Sequence, residues 1–202
     1  MTVEKLSRQP SDPSELRDLL QGHGLPVDIW GEGPTKKVED LWNEIAEGES
    51  WLAAPETVEQ RDEYGEIVRV TNVLGIDVFA TYNGQRYRLR EDRQEFKDGR
   101  GARRRTLITS LAEKIKADEN HAEAVLRAVG EELGVAEEDL AVEDRGAKDV
   151  WKVTQTYPSL PSKLQISFYQ VELPAEAFNP AGYVEDQPDK KTYFEWEMVT
   201  DA

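Results

Sequence analysis

The chain has 202 residues, and its 41 acidic residues outnumber its 25 basic ones, so its formal net charge is −16. It lacks cysteine and has only two histidines, which excludes disulfides, thiolate metal sites and thiol nucleophiles and argues against zinc hydrolysis or a serine triad. The negative charge argues against general nucleic-acid binding, no apolar run reaches the roughly 18 residues of a membrane helix, and we therefore expect a cytoplasmic protein that does not bind membranes.

Residues 1–59 are predicted to form a helical N-terminal extension. Asp12 is typical of a helix cap, Pro13 of a first helical position and Gly22 of a helix end. A second predicted helix surrounds Trp42, and its apolar residues recur at helical spacing. We expect both helices to pack on the rest of the chain, while a homodimer formed through the surface around Trp42 is an alternative.

A β-hairpin is predicted next, because the apolar period changes to two. Apolar residues alternate from Ile76 to Tyr82, and they alternate again around Leu89. Asn83 and Gly84 separate the two runs, and this dipeptide favours the left-handed turn of a hairpin.

The charged stretch from Glu91 to Arg105 is predicted to be a loop, followed by a short strand over residues 107–108. Its arginines stand out in an acidic chain, and guanidinium groups offer paired donors to phosphate. Arg103, Arg104 and Arg105 are therefore candidate substrate-binding residues. The alternative is a solvated segment whose arginines pair with nearby acids.

A helix with clear signals at both ends is predicted from Ala122 to Leu133. Asn120 and Glu123 form a capping box at its start, and Gly134 ends it. Its apolar residues lie along one stripe, which predicts that one face of the helix is buried.

Two more strands are predicted in the last third of the chain, from Leu164 to Phe168 and from Phe194 to Met198. A loop over residues 174–191 separates them, and loops of that length are often functional. Strands around a helix, preceded by helices, predict an α/β fold with a mixed sheet flanked by helices.

Residues 113–135 carry a pattern of glutamate, arginine and glycine. The pattern resembles the Nudix box, which reads glycine, five residues, glutamate, seven residues, then Arg-Glu-aliphatic-any-Glu-Glu-any-Gly-aliphatic. Seven of the nine defined positions match: Glu119, Arg127, Val129, Glu131, Glu132, Gly134 and Val135. The two departures are Glu113 in place of the glycine and Ala128 in place of the glutamate that follows the arginine.

Three short segments also resemble a poorly characterised bacterial and plant branch of the Nudix family. They are Ala112-Glu113-Lys114, Arg127-Ala128 and Tyr157-Pro158-Ser159-Leu160. The two departures are then features of that branch and not damage to this chain. The resemblance implies a Nudix-like α/β/α sandwich over residues 60–202, preceded by the helical extension.

The resemblance also implies an activity, which is hydrolysis of a diphosphate linkage in a nucleoside diphosphate derivative or related organic pyrophosphate, dependent on Mg²⁺ or Mn²⁺. A metal held by carboxylates would neutralise the diphosphate and activate water. The catalytic residues that the resemblance implies are Glu119, Arg127, Glu131 and Glu132, with the arginine orienting a carboxylate.

Ala128 removes one metal ligand that the resemblance implies, because positions 128 and 132 share one helical face. We hypothesise that Glu113 replaces the missing ligand. The metal ligands would then be Glu113, Glu119, Glu131 and Glu132. The alternative is an empty site in a catalytically inactive Nudix-like module that binds a phosphorylated ligand or a protein partner.

Two further groups of residues are candidates for the ligand site. Family members often contribute a carboxylate from outside the box, and the acidic candidates in the long loop are Glu185, Asp186 and Asp189. Trp151 and Tyr157 are candidates for stacking on a base, and the alternative for both is a place in the core.

Overall fold

A computed structural model of the protein describes residues 3–99, 101–104, 107–115, 119–136 and 140–200. Ten strands lie within these residues: β1 (Val3–Lys5), β2 (Ser50–Pro55), β3 (Val68–Tyr82), β4 (Gln85–Phe96), β5 (Ala102–Arg103), β6 (Leu111–Lys114), β7 (Ala141–Val153), β8 (Pro161–Leu173), β9 (Tyr183–Asp186) and β10 (Lys190–Met198). Four α-helices lie there too: α1 (Pro13–Gly22), α2 (Val38–Ala46), α3 (Val58–Tyr64) and α4 (His121–Leu133). The predicted α/β class is therefore confirmed, and none of these helices is long and apolar enough to cross a bilayer.

The chain divides into two compact units. The first contains Met1–Asn72 and Lys148–Ile166, and the second contains Val73–Ile115, Glu119–Ala147 and Ser167–Ala202. The strands β3, β7 and β8 each contribute residues to both units. The boundary between domains that the sequence places after residue 59 stays a prediction.

In the first unit, α1 and α2 occur where the sequence predicts helices. The Asp12 carboxylate caps α1 by accepting from the Glu15 backbone N–H at 2.9 Å. The same part of the chain also contains β1 and β2, so the purely helical character predicted for residues 1–59 is wrong. Residues on both faces of β2 are buried. The strand therefore lacks the alternation of apolar and polar residues that indicates a strand in sequence.

The strands of the first unit support a core of aromatic and aliphatic residues. β1 pairs antiparallel with β2, and β2 pairs antiparallel with the start of β3. Buried residues of the larger cluster are Leu16, Leu20, Val27, Trp30, Val38, Leu41, Leu52, Ile67, Tyr157 and Leu160. A smaller cluster contains Trp51 and Trp151, and the Trp151 ring stacks on Tyr64 at a centroid distance of 4.6 Å.

The carboxylate of Glu44 is buried in the first unit and accepts from four side chains. Arg69 Nη2 lies 2.5 Å from it, Lys36 Nζ 2.8 Å, the Tyr157 hydroxyl 3.1 Å and the Ser50 hydroxyl 3.3 Å. The Tyr157 side chain is fully buried, and burial raises the pKa of its hydroxyl well above the ordinary value of 10.0. Of the two alternatives for Tyr157, stacking on a base and a place in the core, the structure supports the core.

In the second unit, β3 and β4 form the predicted hairpin. Asn83 and Gly84 have φ values of 51° and 75°, which is the left-handed geometry that this dipeptide favours. Tyr82 pairs with Gln85 across the turn. β6 pairs with β3, β4 pairs with β5 and β10, and β10 pairs with β9, all antiparallel.

The prediction that the charged stretch from Glu91 to Arg105 forms a loop is wrong for its first part, because β4 continues to Phe96. It pairs with β10 along this length, and its charges are matched within and across strands. The Arg93 guanidinium lies 3.9 Å from the centre of the Tyr193 ring and 2.8 Å from the Glu95 carboxylate. Charge alone therefore does not indicate a loop when neighbouring strands supply partners.

The strand predicted at residues 107–108 is also wrong, since β6 starts only at Leu111. The Ile108 side chain is 81% exposed, and its backbone carbonyl accepts from Arg88. Arg88 is held in turn by Asp77, whose carboxylate also accepts from the Ser110 backbone N–H. These polar bonds fix the segment that leads into β6.

Helix α4 has the predicted ends and packs on the sheet of the second unit. Asn120 accepts from the Glu123 backbone N–H at 2.9 Å, and Gly134 ends the helix in the left-handed conformation. The buried residues of α4 contact those of β3, β4, β8 and β10: Ala124, Val125, Ala128, Val129 and Leu133.

Two strands of the last third were not predicted. Most residues of β7 are exposed, so it has no apolar alternation, and β9 lies inside the segment predicted as the loop 174–191. A 3-10 helix over Ala175–Ala177 precedes β9. Next to it, Phe178 packs against the rings of Tyr82, Tyr87 and Trp196.

Candidate functional site

The charged residues of the box meet at Arg127 in the second unit. Glu119 lies just before the cap of α4, Glu113 lies on β6, and Glu131 follows Arg127 by one helical turn. Arg127 donates to Glu119 from Nε at 2.7 Å and from Nη2 at 3.0 Å. Its Nη1 donates to Glu131 at 3.1 Å and to Glu113 at 3.4 Å. One guanidinium therefore contacts three carboxylates.

The members of this cluster differ in their exposure to solvent. The side chains of Arg127 and Glu119 are 18% and 13% exposed, whereas that of Glu131 is 59% exposed. The hydrogen bonds that Arg127 donates to Glu119, and the charges of Glu113 and Glu131, raise the pKa of Arg127, so the guanidinium stays charged. Three carboxylates against one cation leave a local excess of negative charge.

Ala128 lies on the buried face of α4. It is 1% exposed and belongs to the apolar cluster that contains Val125 and Val129. Glu132, one turn further along, is partly buried. The methyl group at position 128 therefore contributes to core packing and offers no ligand atom.

The predicted metal site was tested against this arrangement. Among the residues that the structure describes, no group of three or more histidine, aspartate or glutamate side chains is arranged to hold a metal ion. The carboxylates of Glu113, Glu119 and Glu131 are directed at a guanidinium instead. In this conformation these carboxylates are bonded to Arg127, and the predicted metal shell, which also includes Glu132, stays a prediction.

The arginines predicted to bind substrate lie on and after β5. Arg103 donates to the Gln94 side chain at 2.9 Å, and Arg104 pairs with Asp92 at 3.0 Å while its side chain remains 77% exposed. Arg105, like Arg100, lies outside the residues that the structure describes. Their role in binding phosphate stays a prediction.

One of the acidic candidates outside the box differs from its neighbours. Asp186 pairs with Lys97 and Lys191, and the hydrogen bonds from these lysines lower the pKa of its carboxyl. Burial raises the pKa of Glu185, and the nearby Glu131 carboxylate adds to the increase even though Gln187 donates to Glu185 at 2.7 Å. Burial, and to a smaller extent the charge of Glu131, therefore disfavours the ionised form of Glu185.

The sequence offered no signal that distinguished Glu185 from the other acids of its segment. It lies on β9, which contacts α4, and its position depends on the pairing of β9 with β10. Thr192 of β10 pairs with it in register. Only this long-range pairing brings Glu185 towards the box.

No family model matches the chain, and no curated protein matches it. The chain is similar to a solved Ap4A hydrolase of C. elegans, at 12% identity over 63% of this chain and 79% of that one, with a TM-score of 0.36. It is similar to the NUDIX domain of Shewanella oneidensis NrtR complexed with ADP ribose, at 12% identity over 62% and 70% of the two chains and a TM-score of 0.35. The chain is also similar to a MutT/nudix family protein from Enterococcus faecalis, at 11% identity over 65% of this chain and 44% of that one, with a TM-score of 0.34. Two of the three bear the name of the family whose box the sequence resembles, and likenesses this distant carry no argument about function.

Proposed function

We propose that the chain is a Nudix-like module that binds a phosphorylated ligand and does not cleave it. The observation that carries this proposal is the position of Arg127, whose guanidinium is bonded to Glu113, Glu119 and Glu131. A divalent cation that used these carboxylates would have to displace a cation already bonded to them. Ala128, in the core, supplies no replacement ligand.

The proposed ligand class rests on the arginines beside β5. The Arg104 side chain is mostly exposed and pairs with Asp92, so part of its guanidinium faces solvent. Guanidinium groups bind phosphate through paired donors, and an acidic chain with a net charge of −16 needs such local positive charge to attract an anion. Arg103 is the neighbouring donor, held by Gln94.

A second candidate function is the hydrolysis of a diphosphate linkage in a nucleoside diphosphate derivative. The observation that favours it is the half-buried Glu185 on β9, whose pKa is raised by burial and, to a smaller extent, by the charge of Glu131. A carboxyl group with a raised pKa is a better proton acceptor from an attacking water than an ordinary carboxylate. Burial of a carboxylate beside another carboxylate costs stability, and such costs are concentrated at functional sites.

The deciding experiment is a panel of nucleoside diphosphate derivatives, tested for product release and for ligand-induced stabilisation with Mg²⁺ or Mn²⁺ present. The proposal predicts no turnover, and a rise in melting temperature with at least one compound, because a ligand that binds only the folded state stabilises it. Arg104→Gln should reduce that rise, whereas Arg145→Gln, which removes an equal charge from an exposed pair with Glu143, should not.

Metal-dependent turnover that disappears in Glu132→Gln would overturn the binding proposal and establish the hydrolase. Loss of that turnover in Glu185→Gln would show that the Glu185 carboxylate on β9 is also needed for hydrolysis. Stabilisation that is equal in Arg104→Gln and in the wild type would remove the arginines from the ligand site.

A further inference from the structure

The first unit contains an open cavity of about 340 Å³ that is independent of the box. Five side chains line it: Val3, Lys5, Trp51, Lys163 and Gln165. We propose that this cavity binds a small planar aromatic ring that carries an anionic group. Its volume lies at the lower end of the range for small-molecule sites, which run from roughly 300 to 1,000 Å³.

Strand geometry explains why these residues share one cavity. Val3 and Lys5 are two positions apart on β1, and Lys163 and Gln165 are two positions apart on β8. Because side chains alternate between the faces of a strand, each pair projects from one face. Trp51 lies on β2, whose register with β1 pairs Lys5 with Ala53.

Lys5 gives the cavity an exposed positive group in a chain that is strongly negative. Two of its five lining residues are lysines and none is acidic, although acidic residues outnumber basic ones in the sequence. The Lys163 side chain is only 3% exposed and pairs with Asp149 at 2.9 Å. Burial of an ammonium group is costly unless the group is paired, so the pair with Asp149 holds the Lys163 side chain in a fixed position at the cavity.

The indole of Trp51 provides the surface for a ring. Trp51 and Lys5 also line a second cavity, of about 290 Å³, so the two residues stand between two open spaces. The Lys5 ammonium lies 5.8 Å from the centre of the Trp51 ring, within the range of a cation–π contact. A second aromatic ring against Trp51 would gain stacking energy of the kind that protein–base contacts use.

The remaining features define the ligand more closely. The anionic group would pair with Lys5, which is exposed, while Lys163 stays paired with Asp149. The Gln165 amide offers one donor and one acceptor group to polar atoms at the ring edge. A long polyanion is disfavoured because the chain as a whole repels it, so the ligand is a small molecule with few charges.

The test is calorimetric titration of the full chain with AMP and with phenylacetate, which separate a phosphorylated ring from a carboxylated one. Inorganic phosphate and adenosine serve as probes that lack the ring or the charge. We expect at least one of the two ringed anions to bind more tightly than phosphate or adenosine. Lys5→Gln should weaken that binding about tenfold, and Trp51→Leu should weaken it further.

Two matched variants control for charge and for loss of an indole. Lys152→Gln removes an exposed lysine from β7, and Trp42→Leu removes an indole that lines the second cavity and not the first. Neither should change the affinity. Failure of both ringed anions to bind at millimolar concentration, or equal binding by the wild type and Lys5→Gln, would overturn the inference. Since Lys5 is exposed, that variant tests the cavity without depending on the fold.

The outcome is separable from that of the proposed function. AMP binding that is lost in Arg104→Gln and unchanged in Lys5→Gln would place the ligand in the second unit and would overturn only the cavity in the first. The reverse pattern would support the cavity and leave the role of the box to its own experiment.

Discussion

The two units each contain an ionic cluster, and the two clusters are opposite in composition. In the first unit, one carboxylate, that of Glu44, accepts from Arg69, Lys36, Tyr157 and Ser50. In the second unit, one guanidinium, that of Arg127, donates to three carboxylates. The first cluster has an excess of donors, and the second has an excess of acceptors.

The clusters also differ in their access to water. Glu44 and Arg69 have side chains that are 7% and 8% exposed, whereas the Glu131 side chain is 59% exposed. The oxygens of Glu44 are filled by protein donors, so nothing further can bind there. The Arg127 cluster therefore remains in contact with water at Glu131, whereas the carboxylate of Glu44 is shielded from it.

The largest expected effect is on the buried carboxylate. Glu44→Gln should lower the free energy of unfolding by about 3–5 kcal/mol, because it leaves the buried Arg69 guanidinium without a compensating charge. Urea unfolding followed by circular dichroism measures this change. The exposed control Glu47→Gln should stay within about 0.5 kcal/mol of the wild type, and a loss that is equally small for Glu44→Gln would contradict the interpretation.

A smaller effect is expected at the centre of the second cluster. Arg127→Met should cost about 1–3 kcal/mol, since Glu119 then loses both of its guanidinium bonds while it stays mostly buried. The variant should also acquire stabilisation by Mg²⁺ that the wild type lacks, because Glu113, Glu119 and Glu131 lose their bonds to the guanidinium. Arg145→Met, from an exposed pair, is the control for both measurements. An Mg²⁺-induced rise in melting temperature that is equal in wild type and Arg127→Met would count against the competition between guanidinium and metal.

The buried Tyr157 hydroxyl makes stability depend on pH in the alkaline range. The pKa of Tyr157 is raised in the folded state, so above pH 10 the unfolded chain loses the phenol proton first, and stability falls as the pH rises. Tyr157→Phe should cost about 1 kcal/mol at neutral pH through the lost bond to Glu44. It should also flatten the decline in stability between about pH 10 and pH 11. An unchanged slope in the variant would assign the decline to other groups.

The smallest effect concerns the Glu185 carboxylate. The pKa of Glu185 is raised above its ordinary value of 4.5, so the unfolded state ionises first and the stability contributed by this group is lost as the pH rises through that range. Glu185→Gln removes the charge and keeps an acceptor for Gln187, so we expect a melting temperature about 1 °C higher at pH 7. Differential scanning calorimetry at pH 4 and pH 7 is the measurement, and a lower melting temperature at pH 7 would mean that the Glu185 charge is favourable.

Local signals predicted part of the candidate site. The spacing of Arg127 and Glu131 places them one turn apart on any helix, and the capping box of Asn120 fixes where that helix begins. The contacts of Arg127 with Glu113 and the approach of Glu185 depend on β6 and β9, whose positions follow from strand pairing. Sequence spacing carries no information about such pairings.

The cluster around Glu44 could not be predicted at all. Its carboxylate meets the Tyr157 hydroxyl across 113 positions of sequence, and Glu44 does not stand out in a chain with 41 acids. Strand β7 could not be predicted for a different reason. Most of its residues are exposed, so it shows none of the apolar alternation that indicates a strand. The hairpin and α4 were predicted because their turn and cap residues determine the backbone locally.

The placement of the indoles has a spectroscopic consequence. Trp30, Trp42, Trp51 and Trp151 lie in the first unit, and Trp196 lies in the second, where it packs on Phe178. Intrinsic fluorescence therefore reports mainly on the first unit, while far-ultraviolet circular dichroism reports on both. Unfolding curves that coincide by the two methods would indicate one cooperative transition, and curves that separate would show that the two units melt in sequence.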